Sequence, residues 1–493
     1  MRPLEPQVKT FSALARFLGS QDMIANTPIS GVTSNSLEVN PGDLFLALPG
    51  SRFHGAEFID MAYLRGAVAV ITDLEGAGIN HMLLPTLVIA NPRLRAGDIS
   101  SWVYEFAFKS LFSVGVTGTN GKTTTTSLLN QLWNLEGRTT GLIGTIGIEI
   151  AGDHLPTNFT TPEASEVQST VAAMRERHVS HMAMEVSSHA LHQSRISGSH
   201  FNISAFTNLT QDHLDYHETM ANYFAAKSKL FTNEYSDKGV INIDDPYGLQ
   251  LVENAEIPMV TTSRSNRSSN WHFIECEPIL HGYQIAIRGV GGVLIESRLP
   301  LVGDHNLDNA LMAIAIAVES GSDPISIQSN LSKLVGVPGR LESVNLGQTF
   351  QAIVDFAHTP DAVIRTLNTL KSTTKGRLIA VLGCGGDRDK AKRPIMGQAL
   401  VELSDVAIFT SDNPRTEVPG EILSQMTQGL NLRPDDIVEE DRRKAISYAI
   451  SLASADDVVV VLGKGHEQGQ EIEGVKYPFD DRKELALAIE KLK

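Results

Sequence analysis

The run Gly118-Thr119-Asn120-Gly121-Lys122-Thr123 carries the most specific chemistry in the sequence. Glycines so spaced let backbone N–H groups close around phosphate oxygens, and the N-terminus of a following helix adds partial positive charge. A lysine at this position reaches the terminal phosphates, and the threonine hydroxyl can ligate Mg²⁺. The run sits between an apolar stretch, LFSVGV, and a helical one, TTTTSLLNQLW, the strand, loop and helix order of a nucleoside triphosphate site. Val116 stands where the full phosphate-loop spacing has its first glycine, so this is not the loop of an ordinary GTPase or kinase-like enzyme.

Glu185 ends the apolar run HMAM, where it either supplies oxygen to a magnesium ion beside the triphosphate or caps the next helix. The cluster from Asn208 to His217 packs Asp212, His213, Asp215 and His217 after another buried-strand pattern, a density that points to a metal or phosphate site. Lys227, within AAKSKLF, reads as one more basic residue on a solvated helix face. Nearer the C-terminus, Gly383 to Asp389, Asp412-Asn413-Pro414-Arg415 and Gly463-Lys464-Gly465-His466-Glu467 each follow an apolar run, where open α/β sheets place ligand groups. Arg388 and Arg415 could grip carboxylates and Glu467 an ammonium group; the plain alternative is surface arginines pairing with Glu417.

Three α/β domains are expected to position these residues. Residues 1–90 alternate short apolar runs with turns and read as a small α/β unit. Residues 91–337 hold the phosphate loop and the runs HMAMEV, FNISAFTNL and KGVINIDD, the strands of a parallel sheet. Residues 338–493 begin a fresh alternation of strand and helix that predicts a Rossmann-like domain. A length of 493 residues fits three domains, and 42% hydrophobic with 20% charged residues fits a soluble globular chain. With 41 basic against 57 acidic residues the net charge of -16 repels polyanions, which argues against nucleic acid as a partner. Two cysteines suit a reducing compartment and form no zinc-ligand spacing. No signal core opens the sequence and no membrane span is visible, so a cytoplasmic monomer is expected.

Taken together, GVTGTNGKTTT, Thr160-Thr161, EVSSHAL, NLTQDHLDYH, AAKSKLF, VPGRLE, VDFAHTPDA, GCGGDRDKAKRP, DNPR and GKGHE resemble the Mur ligases, ATP-dependent amide-forming enzymes of peptidoglycan precursor synthesis. The resemblance spans essentially the whole chain. It implies a UDP-binding first domain, an ATP-binding central domain and an amino-acid-binding last domain. The implied reaction adds a third amino acid to UDP-N-acetylmuramoyl-L-alanyl-D-glutamate. It assigns ATP to Gly118, Thr119, Asn120, Gly121, Lys122, Thr123, Thr124, Asn306, Asn309, Arg340, Asp355 and His358. It assigns the UDP-sugar dipeptide to Ser36, Thr160, Thr161, Ser187, Gln193 and Arg195, and the diamino acid to Arg388, Asp412, Asn413, Arg415, Gly463 and Glu467. Lys122, Glu185, His213 and Lys227 become the catalytic set; Thr123, Glu185, His213 and a carbamylated Lys227 become the Mg²⁺ ligands.

Asn35-Ser36-Leu37 departs from the family's usual aspartate-serine-arginine, so only the serine carries over; His305 replaces a phenylalanine and Phe356 a tyrosine. The sequence Asp412-Asn413-Pro414-Arg415 implies meso-diaminopimelate, because the arginine can pair with a distal carboxylate that lysine lacks. L-Lysine and ornithine remain alternatives within the class. A folylpolyglutamate synthetase-like ligase shares the loop but not the first 90 residues. A dinucleotide-dependent oxidoreductase would explain Gly383, Gly385 and Gly386 but not Lys122, and a non-catalytic nucleotide-binding regulator would leave most of the polar clusters idle.

Overall fold

A computed structural model describes residues 2–21, 24–50, 53–79, 84–157, 159–279, 282–337, 339 and 341–492. The chain divides into two compact units. The first comprises residues 1–273, 287–294 and 308–327; the second comprises 274–286, 295–307 and 328–493. Among the described residues no helix is long and apolar enough to cross a membrane.

Besides a two-stranded pairing of Lys9–Thr10 with Pro28–Ile29, the first unit contains a smaller and a larger sheet. The smaller joins Gly31–Thr33, Asp43–Leu46, Ala69–Thr72 and Thr86–Val88 in that order, all parallel. Its runs DLFL and AVIT are buried throughout, as strands covered on both faces must be. The larger sheet places His181–Glu185 and Ile203–Phe206 on either side of Phe112–Thr117, with Thr140–Gly144 beyond the former and Gly239–Asn242 and Met259–Ser263 beyond the latter. All these pairs are parallel. The connections run to opposite sides of Phe112–Thr117, so its C-terminal end is a topological switch point, where open sheets part to admit a ligand.

The second unit carries the sheet order Glu342–Ser343, Gln351–Asp355, Val458–Leu462, Leu378–Cys384, Val406–Ser411, Ile437–Val438; only the first pairing is antiparallel. Side chains alternate between two buried cores. Ile353, Ala380, Leu382 and Val460 face one layer of helices, while Val354, Ile379, Val381 and Val459 face the other. This is the doubly wound arrangement that the sequence predicts. Helix Arg442–Leu452 starts at Asp441, whose carboxylate accepts from the N–H groups of Arg443 and Lys444. Asp441→Ala should therefore lower unfolding free energy by about 1 kcal/mol, read as a shifted urea midpoint with an unchanged slope.

Candidate active site

The phosphate loop leaves the switch-point strand at Thr117 and enters helix Lys122–Leu135, whose first turn carries Thr123 and Thr124. Gly118 has φ +151°, and a Cβ there would lie 1.9 Å from the Thr207 hydroxyl; Gly121 has φ +87°, and a Cβ there would lie 2.2 Å from Asn309 Oδ1. Both positions therefore demand glycine. The loop is stitched to the segment after Ile203–Phe206. Thr119 N–H donates to the Asn208 carbonyl at 2.8 Å, Asn120 N–H donates to Asn208 Oδ1 at 3.0 Å, and Thr207 donates to the Asn120 carbonyl at 2.6 Å.

Glu185 is 0% exposed at the end of its strand. It does not cap the next helix, a role taken by Ser187, whose hydroxyl accepts from Ala190 N–H. Its carboxylate instead accepts from the Thr123 hydroxyl at 2.9 Å, from Thr145 N–H at 2.8 Å and from the Thr145 hydroxyl at 3.2 Å. Burial raises its pKa, against the opposing pull of Lys122 and these donors. A buried carboxylate flanked by two hydroxyls is an oxygen-only donor set, which suits Mg²⁺. Among the described residues no group of three or more His, Cys, Asp and Glu side chains converges as a metal cluster, so other oxygens must complete such a site.

The same carboxylate residue joins a second network. Thr161 donates its hydroxyl to the Glu185 carbonyl at 2.9 Å and accepts from Ser187 N–H at 3.0 Å. Arg195 donates to the Thr161 carbonyl at 3.1 Å and to Gln193 Oε1 at 2.7 Å, and its guanidinium covers the Phe159 ring. The Thr160 hydroxyl lies 3.0 Å from that of Thr145. Thr160 and Thr161 are thus joined with Ser187, Gln193 and Arg195, more than 20 residues away in the sequence, in one hydrogen-bonded network through Thr145 and Glu185. Ser36 stands apart: it is buried in the turn Ser36–Glu38, with its hydroxyl facing Met61.

Lys227 corrects the solvated-face reading, because it is 1% exposed. Its ammonium donates to the Gly118 carbonyl at 2.8 Å, the oxygen that also accepts from Lys122 at 2.8 Å, and it lies over the Tyr223 ring. Burial, with Lys122 adding repulsion, lowers its pKa well below the ordinary lysine value. The neutral amine so favoured is the form that can add to carbon dioxide. His213, one residue beyond the exposed Asp212, packs its ring against His189 and faces Tyr223. Within the first unit, Asn309 lies beside Gly121 and 3.4 Å from the Thr125 hydroxyl.

In the second unit, Asn306 donates to the Val302 carbonyl at 2.8 Å. Asp355 spends its carboxylate on Leu341 N–H and Ala357 N–H, shaping the turn that leads to the exposed His358. Arg340 lies outside the described residues. The loops at Gly383, Asp412 and Gly463 gather at the C-terminal ends of adjacent strands. Arg415 donates to the Gly386 carbonyl at 2.7 Å and pairs with Glu471 at 3.2 Å. Glu417 belongs instead to Arg393, a fully buried guanidinium that holds its carboxyl down at about 2. Arg388 is exposed on the same loop. Asp412 is buried against Gly463, where a Cβ would lie 2.5 Å from its carboxylate, and burial raises its pKa despite Arg442 and Lys464. Asn413 donates to Glu467 at 2.8 Å.

Thr145 and Tyr223 escaped the sequence reading as site residues, whereas Asn208 and Lys464 lay in clusters it singled out without being given a role of their own. Of these, Tyr223 had a signal: it lies four positions before Lys227 on helix Met220–Ser228, hence on the same face.

The family models "Mur ligase family, catalytic domain", "Mur ligase middle domain" and "Mur ligase, glutamate ligase domain" match residues 28–97, 116–317 and 339–465. A UDP-N-acetylmuramoyl-L-alanyl-D-glutamate--2,6-diaminopimelate ligase of Streptomyces coelicolor is 43% identical over 99% of this chain and 98% of its own. A solved structure of a ligase of that name superposes with a TM-score of 0.75 at 32% identity, covering 99% of both chains. A folylpolyglutamate synthase of Mycobacterium tuberculosis shares the fold at a TM-score of 0.60 and 19% identity, but covers only 76% of this chain.

Proposed function

The chain belongs to the Mur ligase family, and from that premise we propose that it joins meso-2,6-diaminopimelate to UDP-N-acetylmuramoyl-L-alanyl-D-glutamate at the expense of ATP, for peptidoglycan precursor synthesis. The observation that carries this is Glu185, whose buried carboxylate touches the phosphate-loop threonine while its backbone anchors the Thr161–Ser187–Arg195 network. A triphosphate site and an acceptor site thus share one residue.

The side-chain carboxylate of the D-glutamyl residue is a poor electrophile. It attacks the γ-phosphorus of ATP, ADP departs, and an acyl phosphate forms. The neutral amine of the diamino acid then adds to the acyl carbon, and the tetrahedral adduct expels phosphate and loses a proton to give the amide. The chain's task is to position mutually repelling anions and neutralise their charge. The loop from Gly118 to Thr124 cradles the phosphates and Lys122 neutralises them. Thr160, Thr161, Ser187, Gln193 and Arg195 hold the acceptor, with Ser36 on the uridine side. Thr123 and Glu185 would hold Mg²⁺, with His213 and a carbamylated Lys227 serving a second metal position; when bound, the ion supplies charge compensation to phosphate oxygens. Asn306, Asn309, Asp355, His358 and Arg340 complete the nucleotide contacts. We assign residues 1–90 to the UDP sugar, 91–337 to ATP and 338–493 to the amino acid, and read the protein as a cytoplasmic monomer.

Arg415 favours diaminopimelate over L-lysine or ornithine, since the guanidinium can pair with a distal carboxylate, whereas the distal end of those two offers it only an uncompensated ammonium. The test is mass-spectrometric identification of products from a panel of diaminopimelate isomers, L-lysine and ornithine, with ADP release monitored in parallel. ADP release that needs both the UDP-dipeptide and meso-diaminopimelate is the expected result; preferential incorporation of lysine would reassign the third residue, and ADP-independent change in nicotinamide absorbance would discard the ligase.

A further inference from the structure

Lys464 has no task in the reaction just described, yet its side chain is 0% exposed and bonded to Asn413 and Glu467, two residues assigned above to the diamino acid. It follows the strand Val458–Leu462 and carries an ammonium that burial makes costly to leave unpaired. That ammonium donates to Asn413 Oδ1 at 2.8 Å and to Glu467 Oε2 at 3.0 Å. Asn413 closes the triangle by donating Nδ2 to the same Oε2 at 2.8 Å. Its Oδ1 also accepts from Glu471 N–H at 3.0 Å, next to the residue's partner Arg415.

Three consequences follow from this geometry. The Asn413 amide can take only one orientation, because its oxygen faces two donors and its nitrogen faces a carboxylate. Both bonds to Glu467 fall on Oε2, while the side chain stays 36% exposed, so Oε1 is the oxygen left for a ligand. Finally, the Lys464 carbonyl accepts from Glu467 N–H at 3.0 Å, so the lysine fixes both the backbone turn and the side chain of the same residue.

We infer that Lys464 is a positioning residue that locks Asn413 and Glu467 into one arrangement and so presents a single carboxylate oxygen to an ammonium group of the incoming diamino acid. This rests on the pocket assignment made under Proposed function.

The experiment compares the full-length enzyme with Lys464→Met, Lys464→Arg, Glu467→Gln and the Lys464→Met/Glu467→Gln double variant, measuring kcat and each KM for meso-diaminopimelate, ATP and the UDP-dipeptide. Lys464→Met should raise the KM for diaminopimelate about tenfold or more, with kcat and the KM for ATP within about twofold, and Lys464→Arg should recover part of the loss. On the Glu467→Gln background the same substitution should add less than about twofold, because the two residues act as one unit. Should Lys464→Met fail to fold, Lys464→Gln, which keeps a donor to Asn413, is read by the same criteria. An unchanged KM for diaminopimelate, equal losses for all three substrates, or full additivity with Glu467→Gln would each overturn the positioning role. Wild-type enzyme that turns over no diamino acid at all would instead overturn the pocket assignment.

Discussion

Lys227→Ala is expected to lower kcat by about 10³-fold while leaving the protein folded, and short carboxylic acids such as formate or acetate should restore part of the rate. The residue is buried beneath the phosphate loop, and its ammonium shares the Gly118 carbonyl with Lys122. Two cations this close to one loop are redundant for binding phosphate. Converting one of them into an anion is not, because a carbamate would turn a repulsive group into an oxygen donor of the kind Mg²⁺ accepts. Removal of the side chain also removes a buried amine whose desolvation opposes its charging, so the fold should not suffer. Rescue by a small anion separates a missing carboxylate from a collapsed cavity. Full activity without added acid would remove Lys227 from the mechanism; a dead enzyme that no acid rescues would argue for a packing role alone. Mass spectrometry of the intact protein under carbon dioxide, seeking an added carboxyl group, gives an independent readout.

Arg415→Ala is expected to raise the KM for meso-diaminopimelate by about 10²-fold, corresponding to the loss of a charge-assisted pair of hydrogen bonds, while the KM for ATP changes little. Arg415 already holds the glycine loop through the Gly386 carbonyl and is balanced by Glu471. Its φ of +53° places the backbone in the left-handed region, a cost that arginine already bears and that alanine leaves in place. Arg415→Met carries the same backbone cost with a similar stem, and both variants should show the same selective KM rise. The same substitutions should narrow the preference over L-lysine, since the clamp on the distal carboxylate, which lysine lacks, disappears with the guanidinium. Equal effects on ATP and diaminopimelate would count against Arg415 as the carboxylate clamp.

The local pattern of the chain sufficed for much of this. Phosphate-loop chemistry was legible because glycine spacing, a lysine and a hydroxyl act within a few residues of each other, between a strand and a helix that apolar runs reveal. The loops at Gly383, Asp412 and Gly463 were legible because the ends of apolar runs in a doubly wound sheet mark its ligand edge. Glu185 was half legible: its place at a strand end was clear, but that Ser187 rather than Glu185 caps the next helix, leaving the carboxylate to Thr123 and Thr145, depended on the fold. Arg393 shows a limit of the same kind, since the partner of Glu417 depended on which arginine the fold buries.

Sequence by itself determined the element order, the phosphate loop and the family resemblance, since each depends on residues adjacent or regularly spaced along the chain. Tertiary structure alone decided that Lys227 lies buried under Gly118, that Thr145 reaches Glu185 from the turn after a neighbouring strand, and that Lys464 binds Asn413 across 51 residues of chain. A side chain's charge state and task depend on burial and on partners distant in sequence, and those are fixed only once the strands have paired.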